Sequence, residues 1–468
     1  MMTTVIVAVF IVGYACIALE AGLKINKAAV ALLMCVACWT LYMADCLPYV
    51  SQFHAADFAA FLGSAADGSM LAQARQFVSE SVLLEHLGDT CEIIVFLLGA
   101  MTIVEVVDSN GGFNFVRDKL RTTSKRKLLW RITFMTFFLS AVLDNMTTSI
   151  VMVMVLRKLV AERQDRLLYA SLIILAANAG GAFSPIGDVT TIMLWIKGNI
   201  TTVGVITELI VPSLVSVAIP ALLFQTKLRG SLTPVAEAEE SVRLDLSQGQ
   251  RTAVFWVGVG GLVFVPIFRF LSGLPPFMGI LLVLAVLWTM TEIFYRSLPG
   301  VEESAGQRVS RLLSRIDLST ILFFLGILMT VSTLQEIGVL SAFGAWIDEA
   351  SDHNAYLVTG LIGVVSAIVD NVPLVAGCMG MYDIAPAAAA LADPSLANFV
   401  QDGIFWQLLA YCAGVGGSML IIGSAAGVVV MGLEKISFGW YLRHITWIAF
   451  IGYVAGIGAY WVVRALLF

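Results

Sequence analysis

Charged residues are scarce in this 468-residue chain: only 13% of its residues are Asp, Glu, Lys or Arg, whereas 59% are hydrophobic. The mean hydropathy is +0.91. Soluble domains carry about 25% charged residues, so this composition excludes a soluble globule and is typical of a polytopic helical membrane protein. The net charge of −6 then says nothing about nucleic acid, which is not an expected partner.

Cysteine is too sparse and too dispersed to build a disulfide or metal framework. The chain has seven cysteines, most of them inside apolar runs. Cys35 and Cys38 share a predicted helix that has no second ligand pair. The residues leave a Cys46–Cys91 bridge open, with free thiols as the expectation. No cofactor is expected.

Apolar runs long enough to cross a bilayer occur at ten places. They lie at about residues 3–21, 28–47, 91–109, 168–196, 206–226, 253–272, 278–295, 317–336, 403–432 and 444–466. Two further apolar segments, 132–156 and 355–382, need a separate interpretation.

Lys and Arg are absent from residues 344–401, while acidic residues accumulate on both sides of 355–382. Most basic residues instead lie in a few loops, including 117–131 and the linker 227–251. These loops can all face the cytoplasm, as the positive-inside rule requires, only if 132–156 enters and leaves by one face. We therefore predict two re-entrant hairpins, the first from inside and the second from outside.

Three segments of the first half recur in order in the second half. They pair FLLGAMTIVEVVDSNGGF from Phe96 with FFLGILMTVSTLQEIGVL from Phe323, LSAVLDNMTT with VSAIVDNVPL, and NAGGAFSPIGDVTT with GVGGSMLIIGSAAG. The nearly constant spacing indicates a duplication. The predicted fold is an all-α polytopic membrane protein with two inverted-topology repeats, about ten transmembrane helices, two re-entrant hairpins and two broken helices.

The two repeats are predicted at residues 1–226 and 253–468, joined by a cytoplasmic linker at 227–252. Each has three spans, a hairpin, a broken span and a final span, the broken helices being 168–196 and 403–432. Because five spans is an odd number, the halves are inverted and both termini are expected outside.

Polar clusters interrupt the apolar sequence at the hairpins and in the broken helices. Asp144-Asn145 and Asp370-Asn371 mark the hairpin tips, and Asp188 follows a Gly-Pro-rich break. Such residues are costly in a membrane and are functional candidates by default. No Lys or Arg occurs in the hairpins or in the apolar parts of the broken spans. Carboxylates, amides and hydroxyls without a basic residue favour a small hard cation.

The candidate site residues follow from these clusters. The predicted ion-binding and proton-exchange residues are Asp144, Asn145, Asp188, Asp370 and Asn371. The predicted supporting residues are Thr147, Thr148, Asn178, Ser184, Thr190, Thr191, Ser424 and Glu105. Transported Na⁺ is assigned to Asp144, Asp188 and Asp370, with Asp144 and Asp370 ranked first. Helix packing stays open as the role of the three Asn residues and of Glu105.

The segments LDNMTTSIVM, ANAGGAFSPIGDVTTIMLW, VDNVPLVA and GVGGSMLIIGSAAG together resemble the NhaD-type sodium/proton antiporters. Their superfamily also contains arsenite and dicarboxylate permeases. The resemblance covers nearly the whole chain and implies proton-driven export of Na⁺ or Li⁺ by alternating access across a bacterial inner membrane or an equivalent organelle membrane. It implies inorganic cations, protons and membrane lipid as partners and is compatible with a homodimer.

Two alternatives stay open. An arsenite or carboxylate permease of the same superfamily would share the fold, although the absence of Lys and Arg from the core opposes an anion site. An intramembrane aspartyl protease would also use two membrane aspartates. The Gly-x-Gly-Asp pattern expected there is replaced by Pro185-Ile186-Gly187-Asp188. The chain is therefore predicted to be a transporter and not an enzyme.

Overall fold

A computed structural model describes residues 2–18, 23–62, 69–113, 119–232, 246–296, 316–368 and 370–467. Within these ranges the chain is helical, and its only β-pairing is an isolated antiparallel bridge between Ser124 and Ser231. The all-α prediction is confirmed. All seven cysteines are free thiols, as expected.

The helices are numbered in chain order. Those of the first half are α1 (Met2–Ala18), α2 (Lys27–Ala44), α3 (Leu47–Phe53), α4 (Ala55–Leu62), α5 (Met70–Phe77), α6 (Leu83–Ser109), α7 (Lys125–Leu143), α8 (Asn145–Leu159), α9 (Arg163–Ala182), α10 (Val189–Ile196) and α11 (Thr202–Lys227). Those of the second half are α12 (Gln248–Ser272), α13 (Pro276–Arg296), α14 (Leu318–Glu336), α15 (Val339–Ala350), α16 (Ala355–Ser366), α17 (Asn371–Met381), α18 (Ala387–Ala392), α19 (Ile404–Gly416), α20 (Ala425–Glu434), α21 (Phe438–His444) and α22 (Thr446–Leu467).

Seven helices in the described ranges are long and apolar enough to cross a membrane. They are Lys27–Ala44, Met70–Ser109, Thr202–Lys227, Gln248–Ser272, Pro276–Arg296, Leu318–Glu336 and Thr446–Leu466. The second of these joins α5 and α6 through a π-helical turn at Val78–Val82. They coincide with seven of the ten predicted spans. The other three predicted spans fall on α1 and on two interrupted helices, α9–α10 and α19–α20. The chain is thus an integral, polytopic helical membrane protein.

The described residues form two compact units. Unit 1 comprises Met1–Val95, Asp317–His353 and Val375–Asp383. Its centre is the close packing of α2 against α14. An added Cβ on Gly326 would lie 2.6 Å from the carbonyl carbon of Ala31, so the two backbones touch there. The indole N–H of Trp39 donates to the Met329 carbonyl over 2.8 Å and fixes the same pair of helices.

A buried carboxylate ends α14 in unit 1. Glu336 accepts hydrogen bonds from His54 Nε2 over 2.7 Å and from His86 Nε2 over 2.8 Å. The hydroxyl of Tyr42 lies 3.5 Å from the same carboxylate. These contacts tie the short helices that follow α2, and the start of α6, to the end of α14.

Unit 2 contains the two interrupted helices at its core. It comprises Phe96–Ile316, Asn354–Leu374 and Ile384–Phe468. Every residue of α9 from Tyr169 to Ala182 is buried, and so is every residue of α19 from Phe405 to Gly416. A helix that is buried on all sides has no lipid-facing stripe, which makes these two helices the interior of the unit.

The compact units do not follow the predicted repeat boundaries, because each unit contains segments of both halves. The helices α6 and α17 pass from one unit to the other. Of the predicted linker 227–252, residues 233–245 lie outside the described ranges. Where the chain is described again, Ser247 caps α12 with a reciprocal capping box to Gln250.

Candidate ion-binding site

Asp144 separates α7 from α8 with an unusual backbone conformation. Its φ of 80° and ψ of 158° lie in a region that residues other than Gly rarely adopt. Such a conformation costs about 1–3 kcal/mol and is concentrated at functional sites. The carboxylate caps α8, since Oδ1 accepts the Thr147 N–H over 2.8 Å and Oδ2 accepts the Thr147 hydroxyl over 2.7 Å.

The far ends of α7 and α8 both lie beside the start of α9. Lys125, the first residue of α7, pairs with Asp165 over 2.5 Å. Arg157 near the end of α8 and Arg166 near the start of α9 each bind the Glu434 carboxylate over 2.7 Å. The chain therefore leaves this end in α7, turns at Asp144 and returns in α8, which is the geometry of a hairpin.

Replacing Glu434 with Gln is expected to destabilise the protein by about 1–3 kcal/mol, because two guanidinium groups lose their shared buried carboxylate. A neutral amide cannot compensate both charges. The measurement is the thermal unfolding midpoint of the purified protein in detergent, with the exposed Glu349→Gln as the matched control. Equal midpoints for the two variants would contradict the role of Glu434.

Glycines allow the broken helix α9–α10 to pack against the hairpin. An added Cβ on Gly180 would lie 2.1 Å from the Phe137 carbonyl oxygen of α7. An added Cβ on Gly187 would lie 2.8 Å from the Ser140 carbonyl oxygen. Side chains at these positions would collide with backbone, so the AGGAFSPIGD break is held directly against the hairpin turn. This contact places Asp188 close to the residues that follow Asp144.

Asp188 is almost fully buried, with 1% of its surface exposed. Its Oδ1 accepts hydrogen bonds of 3.0 Å from the Thr190 N–H and hydroxyl. Asn145 Nδ2 donates to Oδ2 over 2.5 Å, and Asn371 Nδ2 lies 3.4 Å from both oxygens. Among the described residues, no Lys, Arg or His forms an ion pair with Asp188. Within the described ranges this buried carboxylate is stabilised by hydrogen-bond donors and not by an ion pair.

Asn178 links the Asp188 cluster to the second broken helix. Its Oδ1 accepts a hydrogen bond of 3.0 Å from Asn145. Its Nδ2 donates over 2.8 Å to the hydroxyls of Ser418 and Ser424, which lie between α19 and α20. The site therefore combines both interrupted helices with both Asn residues that follow a hairpin aspartate.

The two interrupted helices contact α7 and α16 through equivalent hydrogen bonds. The Ser140 hydroxyl donates to the Ala177 carbonyl over 2.6 Å, and the Ser366 hydroxyl donates to the Ala413 carbonyl over 2.8 Å. Ser140 and Ser366 occupy the same position in LSAVLDNMTT and VSAIVDNVPL, and the two alanines each lie immediately before the aligned segments NAGGAFSPIGDVTT and GVGGSMLIIGSAAG. The same local construction is thus present twice.

The breaks themselves are also alike. Asp188 caps α10 with φ −146° and ψ 148°, and Ser424 caps α20 with φ −143° and ψ 153°. An added Cβ on Gly416 would lie 2.2 Å from the Gly363 carbonyl oxygen, as one on Gly180 would meet that of Phe137. The halves differ in charge, because a hydroxyl replaces the carboxylate in the second break.

Comparison with known sequences identifies the family. The profile described as "Citrate transporter" (CitMHS) matches residues 14–400. The chain is 44% identical over 464 residues to "Sodium/proton antiporter 1" of Arabidopsis thaliana. The matched residues cover 98% of this chain and 72% of that protein. It is 31% identical over 417 residues to "Na(+)/H(+) antiporter NhaD" of Alkalimonas amylolytica, covering 84% and 81%. The chain belongs to the NhaD-type sodium/proton antiporters.

A second plant relative extends the match over almost both full lengths. "Sodium/proton antiporter 2" of Arabidopsis thaliana is 41% identical over 453 residues, covering 96% of this chain and 97% of the relative. The resemblance carried by the hairpin and SPIGDVTT segments is thereby confirmed as NhaD-type membership.

In this NhaD-type chain the structure brings together part of the predicted residue set. The residues joined by hydrogen bonds in one cluster are Asn145, Asn178, Asp188, Thr190, Asn371 and Ser424. Asp188 also interacts electrostatically with two further aspartates. One is Asp144, whose carboxylate accepts a hydrogen bond from Thr147, and the other is the half-buried Asp370. The structure therefore centres the cluster on Asp188, which the sequence had ranked behind the two hairpin aspartates.

Four predicted supporting residues do not belong to the cluster of side chains around Asp188. The Ser184 hydroxyl donates to the Ala141 carbonyl, and the Thr191 hydroxyl donates to the Asp188 backbone carbonyl over 2.9 Å. The buried Thr148 hydroxyl has no hydrogen-bond partner within the described part of the chain. Glu105 is half-buried in α6 and does not belong to the hydrogen-bonded cluster around Asp188. The first two hydroxyls stabilise the hairpin and the break.

Sequence reasoning missed Ser418, although its hydroxyl accepts directly from Asn178. The signal available was its place in the GVGGSMLIIGS break, immediately after Gly417. The repeat hid it, because the aligned position in the first half is Ala182. Glu434 was missed because it lies beyond the predicted broken span.

Proposed function

We propose that this protein exchanges Na⁺, or Li⁺, for protons across a membrane, with Asp188 as the shared binding group. The observation that carries the proposal is a buried carboxylate ringed by amides and hydroxyls, with no cation paired to it among the described residues. The relatives are named sodium/proton antiporters, which supports Na⁺ and H⁺ as the substrates proposed for the cluster.

Competition for one carboxylate explains the exchange. A buried carboxylate is stable when a proton or a cation neutralises it, and an uncompensated charge there is costly. Proton and Na⁺ therefore exclude each other at Asp188. If only a neutralised site can pass between the two faces of the membrane, inward movement of a proton drives outward movement of the ion.

The neighbouring oxygens can complete a sodium shell. Hard cations prefer carboxylate, amide and hydroxyl oxygens. Thr190 already presents its hydroxyl to Asp188, and Asn145 and Asn371 now donate to it. A rotation of each amide would present its oxygen to a bound ion. The hairpin aspartates, Asp144 and Asp370, are proposed to relay protons or ions to this centre.

The transport cycle is proposed to use two inverted repeats, residues 1–226 and 253–468. The repeated Ser-to-carbonyl hydrogen bonds and the repeated glycine contacts support a duplication. Each repeat would hold one hairpin and one broken helix, with half-helix ends facing the ion near the membrane midplane. Both termini outside a bacterial inner membrane, or the equivalent organelle face, remain part of this proposal, as does a homodimer.

A carboxylate or arsenite permease is the alternative to be tested. The profile description "Citrate transporter" belongs to the family as a whole. An anion would need a positive partner, and among the described residues no Lys or Arg takes part in the hydrogen bonds of the Asp188 cluster. The antiporter names of the relatives give no support to the protease alternative.

The test uses purified protein in proteoliposomes with an imposed pH gradient and an internal pH dye. We expect Na⁺ and Li⁺ to collapse the gradient, and arsenite or citrate to leave it unchanged. Asp144→Asn and Asp370→Asn are expected to lower the exchange rate by at least about tenfold, because each removes a charge that interacts with Asp188.

Asp57→Asn is the control for these two variants, because Asp57 lies on α4 in unit 1. If labelled citrate or arsenite is taken up and none of the cations changes the pH gradient, the protein is a permease of the same superfamily. Wild-type exchange in both hairpin variants would remove Asp144 and Asp370 from the ion pathway while leaving Asp188 to be tested by itself.

A further inference from the structure

An open crevice of about 430 Å³ lies on the outer face of α7, away from the Asp188 cluster. It is lined by Lys119, Leu120, Arg131, Phe134, Met135 and Phe138. Two of these side chains are basic and the other four are apolar. The crevice is therefore amphipathic and calls for a ligand with an anionic end and a hydrocarbon end.

The apolar part follows one face of α7. Phe134 and Phe138 are one turn apart on α7 and are 47% and 52% exposed. Trp130, one turn earlier, stacks on Phe134 with 5.7 Å between ring centroids, and its indole N–H donates to Gln225 over 2.7 Å. Tryptophan with one apolar side and one satisfied N–H is typical of the membrane–water interface.

The basic part lies at the start of this face. The Arg131 guanidinium donates to the carbonyl oxygens of Lys119 and Arg121 over 3.2 and 2.7 Å, which holds it in place. Within the described part of the chain, neither Lys119 nor Arg131 forms an ion pair. Two exposed cations without a carboxylate partner, above an apolar surface, match a phosphate headgroup.

We propose that this crevice binds an anionic phospholipid, with its phosphate between Lys119 and Arg131 and an acyl chain along Phe134 and Phe138. A soluble anion would leave the phenyl rings exposed, and a zwitterionic lipid would bring an ammonium group whose positive charge is repelled by the two basic side chains. The occupant would contact α7, the first arm of the hairpin that turns at Asp144. Binding of the lipid does not depend on the proposed exchange activity and is measured without it.

The test measures quenching of Trp130 by brominated lipid. The full-length protein is reconstituted in vesicles that contain either brominated phosphatidylglycerol or brominated phosphatidylcholine at equal mole fraction. The difference between wild type and Trp130→Phe isolates the signal of this residue. We expect stronger quenching by phosphatidylglycerol, and an affinity about fivefold lower for each positive charge removed by Lys119→Gln or Arg131→Gln.

The matched controls are the single variants Arg126→Gln and Lys127→Gln, each of which removes one positive charge from an exposed position at the start of α7. If these controls lose as much of the preference for phosphatidylglycerol as the crevice variants do, the preference comes from general electrostatic attraction and the proposed site is wrong. Equal quenching by the two wild-type lipid mixtures would also overturn it, as would displacement of phosphatidylglycerol by inorganic phosphate. If Arg131→Gln fails to fold, Lys119→Glu provides the same test, because the Lys119 side chain is exposed and its loss breaks no ion pair among the described residues.

Discussion

Asp188→Asn is expected to abolish sodium-dependent proton exchange. The substitution keeps the size and the capping geometry of the side chain and removes only the charge that Na⁺ and protons share. A charge pair about 4 Å apart at an effective dielectric near 20 is worth about 4 kcal/mol. We therefore expect the apparent Na⁺ affinity to fall by roughly three orders of magnitude. The measurement is the Na⁺ concentration that half-collapses a pH gradient in proteoliposomes.

Asp317→Asn provides the matched control. Asp317 also caps a helix, accepting the N–H and the hydroxyl of Thr320, but it lies in unit 1. It should retain wild-type exchange. Retained exchange in Asp188→Asn, with an unchanged thermal midpoint, would show that Asp188 is a structural cap and would return the first rank to Asp144 and Asp370.

Gly180→Ala is expected to destabilise the protein by about 3 kcal/mol or more, at the upper end of what overpacking costs. The new Cβ would lie 2.1 Å from the Phe137 carbonyl oxygen, and a backbone atom cannot rotate away. Separation of α9 from α7 would also remove Asp188 from Asn145. The measurement is the fraction of monodisperse protein that remains in detergent after graded heating.

Gly432→Ala is the control for this substitution, since an added Cβ there meets no atom within 4 Å. Because Gly432 lies inside α20, alanine should be neutral or stabilise the helix by about 0.5–1 kcal/mol. Gly416→Ala should behave like Gly180→Ala, because its Cβ would lie 2.2 Å from the Gly363 carbonyl oxygen. A tolerated Gly180→Ala beside an unstable Gly416→Ala would contradict the equivalence of the two contacts.

Much of the helical organisation could be predicted from the sequence. Runs of apolar residues predicted the seven long helices, and glycine, joined by Pro185 in the first half, predicted the interruptions after Ala182 and Gly416. The duplicated Asp-Asn pair predicted that α7–α8 and α16–α17 are each interrupted at an aspartate. These features depend on the composition of short segments, and a short segment carries that information by itself.

The hydrogen-bond partners of the three carboxylates could not be predicted in the same way. Asp144, Asp188 and Asp370 are all isolated acidic residues in apolar sequence, so their membrane cost is similar. Only the packing of α9 on α7 decides that Asn145 donates to Asp188. The carboxylate of Asp144 instead binds Thr147 in its own hairpin.

The sequence by itself determined that this protein is a helical membrane transporter of the NhaD type, with helix breaks at Asp144, Asp188 and Asp370. The tertiary structure decided that Asp188 lies at the centre of a hydrogen-bonded cluster and that Asn178 joins this cluster to Ser418 and Ser424. The physical reason is the separation along the chain over which each effect acts. Hydropathy and helix breaking act between near neighbours, whereas the bond from Asn178 to Ser424 connects residues 246 positions apart and exists only when two buried helices meet.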